Sequence, residues 1–166
     1  MKKKYLVKLG ILTIIGVLTS TIMTIHVLPI RSELRNAPEQ ITINNHDFKL
    51  ECYLSTWVIC LDISPSACSK PRVYIDVNII DLNSSHFPEE INVNQIWAIN
   101  KNDIWHFSTS DFTFPDRWHN RFGNILNWRF YDGPYWTKGD LVDIVVQLKY
   151  NSQLFLLRVS DQLIYE

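Results

Sequence analysis

The chain has no Gly-rich phosphate loop, no nucleophile elbow and no His-Glu-x-x-His pair. Each absence removes a class: a nucleotide cradle of backbone N–H groups, the strained serine turn of α/β-hydrolases, and a helical zinc site with its built-in base. Basic residues are scarce beyond the first eight positions. Setting aside Lys2, Lys3, Lys4 and Lys8 leaves 12 of the 16 Lys and Arg against 17 Asp and Glu, so the rest of the chain carries a net charge near −5. An acidic body with no Lys/Arg cluster lacks the electrostatic footprint of a nucleic-acid binder. No internal repeat and no low-complexity tract is present, and no segment asks for a cofactor.

What is present begins at the amino terminus. Leu9 to Ile30 runs 22 residues without a formal charge, behind four lysines and ahead of Arg31, Glu33 and Arg35. That length crosses the hydrocarbon layer of a bilayer as one helix. The positive-inside rule holds the lysines in the cytoplasm and sends everything after Ile30 across. The small residues Thr19-Ser20-Thr21 lie in the middle of the apolar run, with Ile22, Met23 and Ile25 still to follow, a poor context for signal cleavage. Residues 9–30 are therefore expected to act as an uncleaved anchor in the cytoplasmic membrane. A cleaved signal peptide, leaving a secreted or periplasmic protein, is the alternative. No Cys stands directly after the run, which argues against a lipid-modified anchor. The expected organisation is a leader over 1–30, a short polar stalk over 31–40 and one domain over 41–166, which is long enough to bury its own core.

The body is written in period two. From Arg72 to Asp81, Val73, Ile75, Val77 and Ile79 alternate with Arg72, Tyr74, Asp76 and Asn78, the pattern of a half-buried strand. Asp140–Tyr150 and Gln153–Ser160 alternate likewise about Asn151-Ser152 and read as a hairpin. A second hairpin spans Gln95–Ser108 around Asn100–Asp103, and a third joins Ile41–Ile43 to Asp47–Val58. Ile125–Tyr131 adds one more strand. About eight short strands with no soluble helix predict an all-β fold. The expected architecture is an immunoglobulin-like antiparallel β-sandwich behind one N-terminal transmembrane or signal helix, with a small β-barrel as the alternative. Ser110–Asn124 reads as a long loop with room for a short helical turn.

Cys52, Cys60 and Cys68 are eight apart in a chain sent to an oxidising compartment. Cys60 and Cys68 flank the reversal at Ser64-Pro65 and form the disulfide candidate, the other reading being three free thiols. Cys52 shares its parity with Phe48, Leu50 and Leu54 and is expected to be buried and unbridged. The spacing is not that of a zinc site.

Two groups of residues compete for function. His106, Asp111, Asp116 and His119 crowd one segment with Asp103 and Arg121, and are the candidate metal ligands or acid/base groups. The plainer reading is a loop pinned by Trp105, Phe107, Phe112, Phe114, Trp118 and Phe122, with solvated charges between them. The other group is aromatic. Of the six Trp, Trp97 and Trp105 are expected to meet across their hairpin as core filler, and Trp136 to lock a turn-rich link. Trp57 and Tyr53 have the parity opposite to Leu50, Cys52 and Leu54, and Tyr74 lies on the outer row of the next strand. Trp57, Tyr53 and Tyr74 are the candidate binding residues, because rigid rings give contact area at little entropic cost.

Trp97-Ala98-Ile99-Asn100-Lys101-Asn102-Asp103-Ile104-Trp105, Arg129 with Gly133-Pro134-Tyr135-Trp136 and Gly139-Asp140, and Leu156–Gln162 resemble a group of uncharacterised exported bacterial proteins over about Ile41 to Ile164. The resemblance implies a small exported β domain from a bacterium and no activity, ligand or catalytic residue. The expected role is a non-enzymatic, membrane-tethered binding or structural module of the bacterial cell envelope, with an envelope protein or glycan as partner. An envelope hydrolase or metal-dependent enzyme using residues 103–121 is the alternative.

Overall fold

A computed structural model of the chain describes residues 31–58, 70–108, 117–131 and 133–166. The apolar run 9–30, Cys60 with Cys68, and Asp111 with Asp116 lie outside the described residues. Among the described residues no helix is long and apolar enough to cross a membrane. Residues 31–35 are helical.

The unit from Ala37 onward is all-β. Among the described residues its nine strands are β1 (Gln40–Ile43), β2 (His46–Trp57), β3 (Arg72–Asp81), β4 (Asn92–Asn100), β5 (Asp103–Ser108), β6 (Arg117–Phe122), β7 (Ile125–Phe130), β8 (Leu141–Tyr150) and β9 (Gln153–Tyr165). Two-residue turns set the register of two hairpins. Asn44-Asn45 and Asn151-Ser152 all have positive φ, the backbone that matches the twist of the flanking strands. In β3 the alternation read from the sequence is the alternation found: Val73, Ile75, Val77 and Ile79 are fully buried.

The strands join in one sheet, ordered β5-β4-β8-β9-β2-β3-β7-β6, with β1 paired to β2 off that path. The link between its halves is short. Only Leu54↔Ile164 and Ser55↔Tyr165 pair β2 with β9, and they run parallel. A bulge makes this link. The β8–β9 register shifts between Val142 and Ile144, and Asp161, with φ +53° and its N–H held by the Asp143 carboxylate at 3.0 Å, turns the strand. Leu157 faces the core before the bulge and Ile164 after it, so the inward parity changes. A second register shift, between Val93 and Gln95, lets Val93 and Ile96 share the inner face of β4.

The sheet curls so that one face closes on a single hydrophobic core drawn from β1 to β5 and β7 to β9. Phe107 of β5 stacks on Phe130 of β7 with centroids 4.1 Å apart, although the two strands lie near opposite ends of the strand order. The edge strands β5 and β6 do not bond to each other. The result is an open, curled half-barrel. An immunoglobulin-like sandwich needs two separate sheets, which the β9–β2 junction joins; a closed barrel needs its edges to pair.

Three local expectations change. Arg117–Phe122 is an edge strand paired with β7, inside the segment read as loop. Trp97 lies opposite His106 and Ala98 opposite Trp105, so Trp97 and Trp105 point to opposite faces and do not meet. The stalk is not free over its whole length: Pro38 accepts from the Arg158 N–H at 2.8 Å, the Ser160 hydroxyl donates to Glu39 at 2.6 Å, and β1 begins at Gln40.

Candidate functional site

The outward face of β2, β3 and β7 carries a cluster of rings. Register puts Ser55 opposite Tyr74, Trp57 opposite Arg72, and Tyr53 opposite Asp76, all on this face. Trp57 is 47% exposed and Tyr53 49%. Trp57 meets Tyr131 edge-on at 5.8 Å, and Tyr131 meets Tyr74 at 5.0 Å. Tyr53 stacks on Tyr165, 50% exposed, with centroids 5.8 Å apart and planes nearly parallel. The β9 bulge is what turns Tyr165 outward. The three candidate residues thus belong to two ring groups, with Tyr131 and Tyr165 added by the fold. Tyr53 and Trp57 stand four residues apart on one strand, about 13 Å.

Asp76 is the polar centre beside them. It accepts the Tyr74 hydroxyl at 3.1 Å and Arg129 Nε at 3.0 Å on one oxygen, and Asn127 Nδ2 on the other. Asn127 also donates to Asn78 Oδ1 at 2.8 Å. Burial, together with the Asp76 charge, pushes the Tyr74 phenol well above its ordinary range, so it stays a neutral donor. The network holds the strand faces under the rings in one arrangement.

Behind this face, where β2 and β9 end and β3 begins, lies a groove of about 370 Å3. Thr56, Lys70, Pro71, Glu166 and the link Tyr135–Lys138 line it. The link is fixed at several points. Gly133 N–H donates to Val73 O at 3.1 Å, and Val73 N–H to Pro134 O at 3.0 Å. Trp136 Nε1 donates to Asp103 at 2.7 Å, and Gly139 N–H to Ile164 O at 3.0 Å. Asp140 gathers the Asn100 amide, Lys101 Nζ and the Thr137 N–H; those bonds hold its carboxyl below the usual Asp range. Trp136 therefore locks the link, as its setting implied, and walls the groove as well.

No family model, no curated protein and no solved structure matches this chain. Its site is read from its own residues.

Of the His/Asp segment, Asp111 and Asp116 lie outside the described residues, and the structure places the backbone of the two histidines on different strands. His106 is exposed on edge strand β5 and stacks on Trp97 at 5.4 Å. His119 occupies edge strand β6 opposite Trp128, at the other end of the strand order. Among the described residues no three His, Cys, Asp or Glu side chains are placed to hold a metal ion. Cys52 is unbridged and packs against the core. Burial pushes its thiol far up, with Asp76 and Glu51 adding to the shift, so the nucleophilic thiolate is suppressed.

One polar pair escaped the sequence reading. Asp81, fully buried at the end of β3, lies 2.6 Å from His46 Nδ1 and accepts the Asn83 N–H at 3.0 Å. Its own backbone carbonyl accepts the Asn124 amide at 2.8 Å. Asp81 continues the outward-to-inward alternation of β3 as an inward position, and a carboxylate at such a place was the available signal for a partner.

Proposed function

We propose that this chain is a non-enzymatic binding module of the bacterial cell envelope, tethered to the cytoplasmic membrane through residues 9–30 and facing outward. Its binding surface is the outer face of β2–β3–β7, and its partner is an envelope glycan or protein. The observation that supports this reading is the pair of ring groups, exposed Tyr53 with exposed Tyr165 and exposed Trp57 with the half-buried Tyr131 and Tyr74, seated on a hydrogen-bonded polar floor. Flat rings held at fixed spacing offer contact area with little rotamer entropy to lose, on sugar faces and protein surfaces alike.

Retention of the purified full chain on isolated cell-envelope material tests the proposal. Trp57→Ala and Tyr53→Ala are each expected to weaken retention about 30-fold, the cost of removing a central aromatic anchor of about 2 kcal/mol. His106→Ala is expected to leave it unchanged. Retention lost with His106→Ala and kept with Trp57→Ala would reverse the ranking in favour of the enzyme.

A further inference from the structure

We propose that the groove between the end of β2 and the Tyr135–Lys138 link is a second binding site, for a short saccharide that carries a carboxylate. The first argument is preorganisation. The wall formed by Tyr135, Trp136 and Thr137 is tied to three different strands: to β3 through Gly133 and Pro134, to β5 through Asp103, and to β9 through Gly139 and Ile164. A ligand entering there does not have to order the wall, so the contacts it makes are not spent on loop entropy. Gly133 shows how tight this seating is, since a Cβ on it would lie 2.2 Å from Val73 O.

The second argument is shape and lining. At about 370 Å3 the space falls at the small end of ligand pockets. Tyr135 and Trp136 supply ring faces and Thr56 and Thr137 supply hydroxyls, which is the mixture that pyranose rings use: apolar C–H faces against aromatics, hydroxyls against hydroxyls. The Arg72 guanidinium sits 4.9 Å over the Tyr135 ring and holds that exposed ring in place. A nucleotide would need a phosphate cradle that the chain does not have.

The third argument is charge. Lys138 is already paired with Glu166, whereas Lys70 has no carboxylate partner among the described residues. Lys70 thus brings a positive charge to the groove in a body that is near −5 overall. The anion that answers Lys70 is a ligand carboxylate, which the ammonium meets as a point charge.

Isothermal titration of the full chain in detergent micelles, with a glucuronic-acid disaccharide and its neutral glucose counterpart as probes, tests the proposal. The acidic disaccharide is expected to bind about tenfold more tightly, the share of one charge-assisted contact, and to weaken with added salt. Lys70→Gln should remove that advantage and Lys70→Arg should restore it, while Tyr135→Ala should weaken both sugars and His106→Ala neither. Equal binding of the two sugars, an unchanged advantage in Lys70→Gln, or no heat with either sugar would overturn the proposal. Binding lost in Trp57→Ala but kept in Lys70→Gln would also overturn it, by moving the sugar to the outer face and leaving the function proposed above intact.

Discussion

Asp81 is the residue whose burial asks most of its neighbours. An ionised carboxylate out of water is tolerated only when it is paired and hydrogen-bonded, and here His46 and the Asn83 N–H do both. Removing one partner costs more than the bond itself is worth, because the charge stays behind. His46→Ala is therefore expected to lower unfolding stability by about 2 kcal/mol, and Asp81→Asn, which removes the charge and keeps hydrogen-bonding atoms in place, by about 1 kcal/mol or less. Urea unfolding of the two variants side by side checks the order; an Asp81→Asn variant weaker than His46→Ala would refute it. At this scale the sequence was informative where parity alone decides. Trp57 and Tyr53 were placed outward by their offset from Leu50 and Leu54, and they are outward. Tyr165 was invisible by the same rule, because the Asp161 bulge reverses the parity of everything after it.

Among the elements, the Gly133–Asp140 link joins irregular backbone to several strands through hydrogen bonds. Its two glycines make different demands. Gly133 has no room for a side chain, with Val73 O at 2.2 Å and the Trp105 ring at 2.9 Å from a built Cβ. Gly139 has open space around it, but its φ of +88° is one that L side chains rarely adopt. Gly133→Ala is expected to cost about 3 kcal/mol through overpacking and Gly139→Ala about 1 kcal/mol through backbone strain. Thermal unfolding distinguishes the two, and equal losses would mean that the tight seating of Gly133 yields to the added methyl. The strands themselves were legible in proportion to their burial. β3 carries unbroken alternation and β8 an alternation interrupted at the buried Val145, and both are legible nearly to the residue. β6, Arg-Trp-His-Asn-Arg-Phe, has no apolar alternation, since an edge strand is fixed by its one neighbour, β7, rather than by its own pattern. The groove was not legible at all: Lys70, Tyr135 and Glu166 come from three separate segments that only the strand order brings together.

For the whole molecule, the fold class followed from period two and the strand order did not, because alternation records which face is buried and says nothing of which strand lies beside which. The placement of the chain rests on residues 9–30, whose 22-residue length and poor cleavage context predict retention of the leader. In a membrane fraction the protein is expected to migrate at its full 19.5 kDa and to resist extraction by carbonate. Amino-terminal sequencing that begins anywhere between Thr21 and Ala37 would contradict this.

The parallel contact of Leu54 with Ile164 also has a meaning in time. The two residues that join the halves of the sheet are separated by most of the domain. A chain synthesised from its amino end presents Leu54 long before Ile164. Until then the part of the β2 edge beyond its pairing with β1 is unpaired, and the core it helps to cover stands open on that side. Closure by so distant a partner is the slow kind, and an exposed strand edge is the kind that recruits neighbours. The interval between the emergence of β2 and the arrival of β9 is thus the period in which this protein is most vulnerable to wrong pairing.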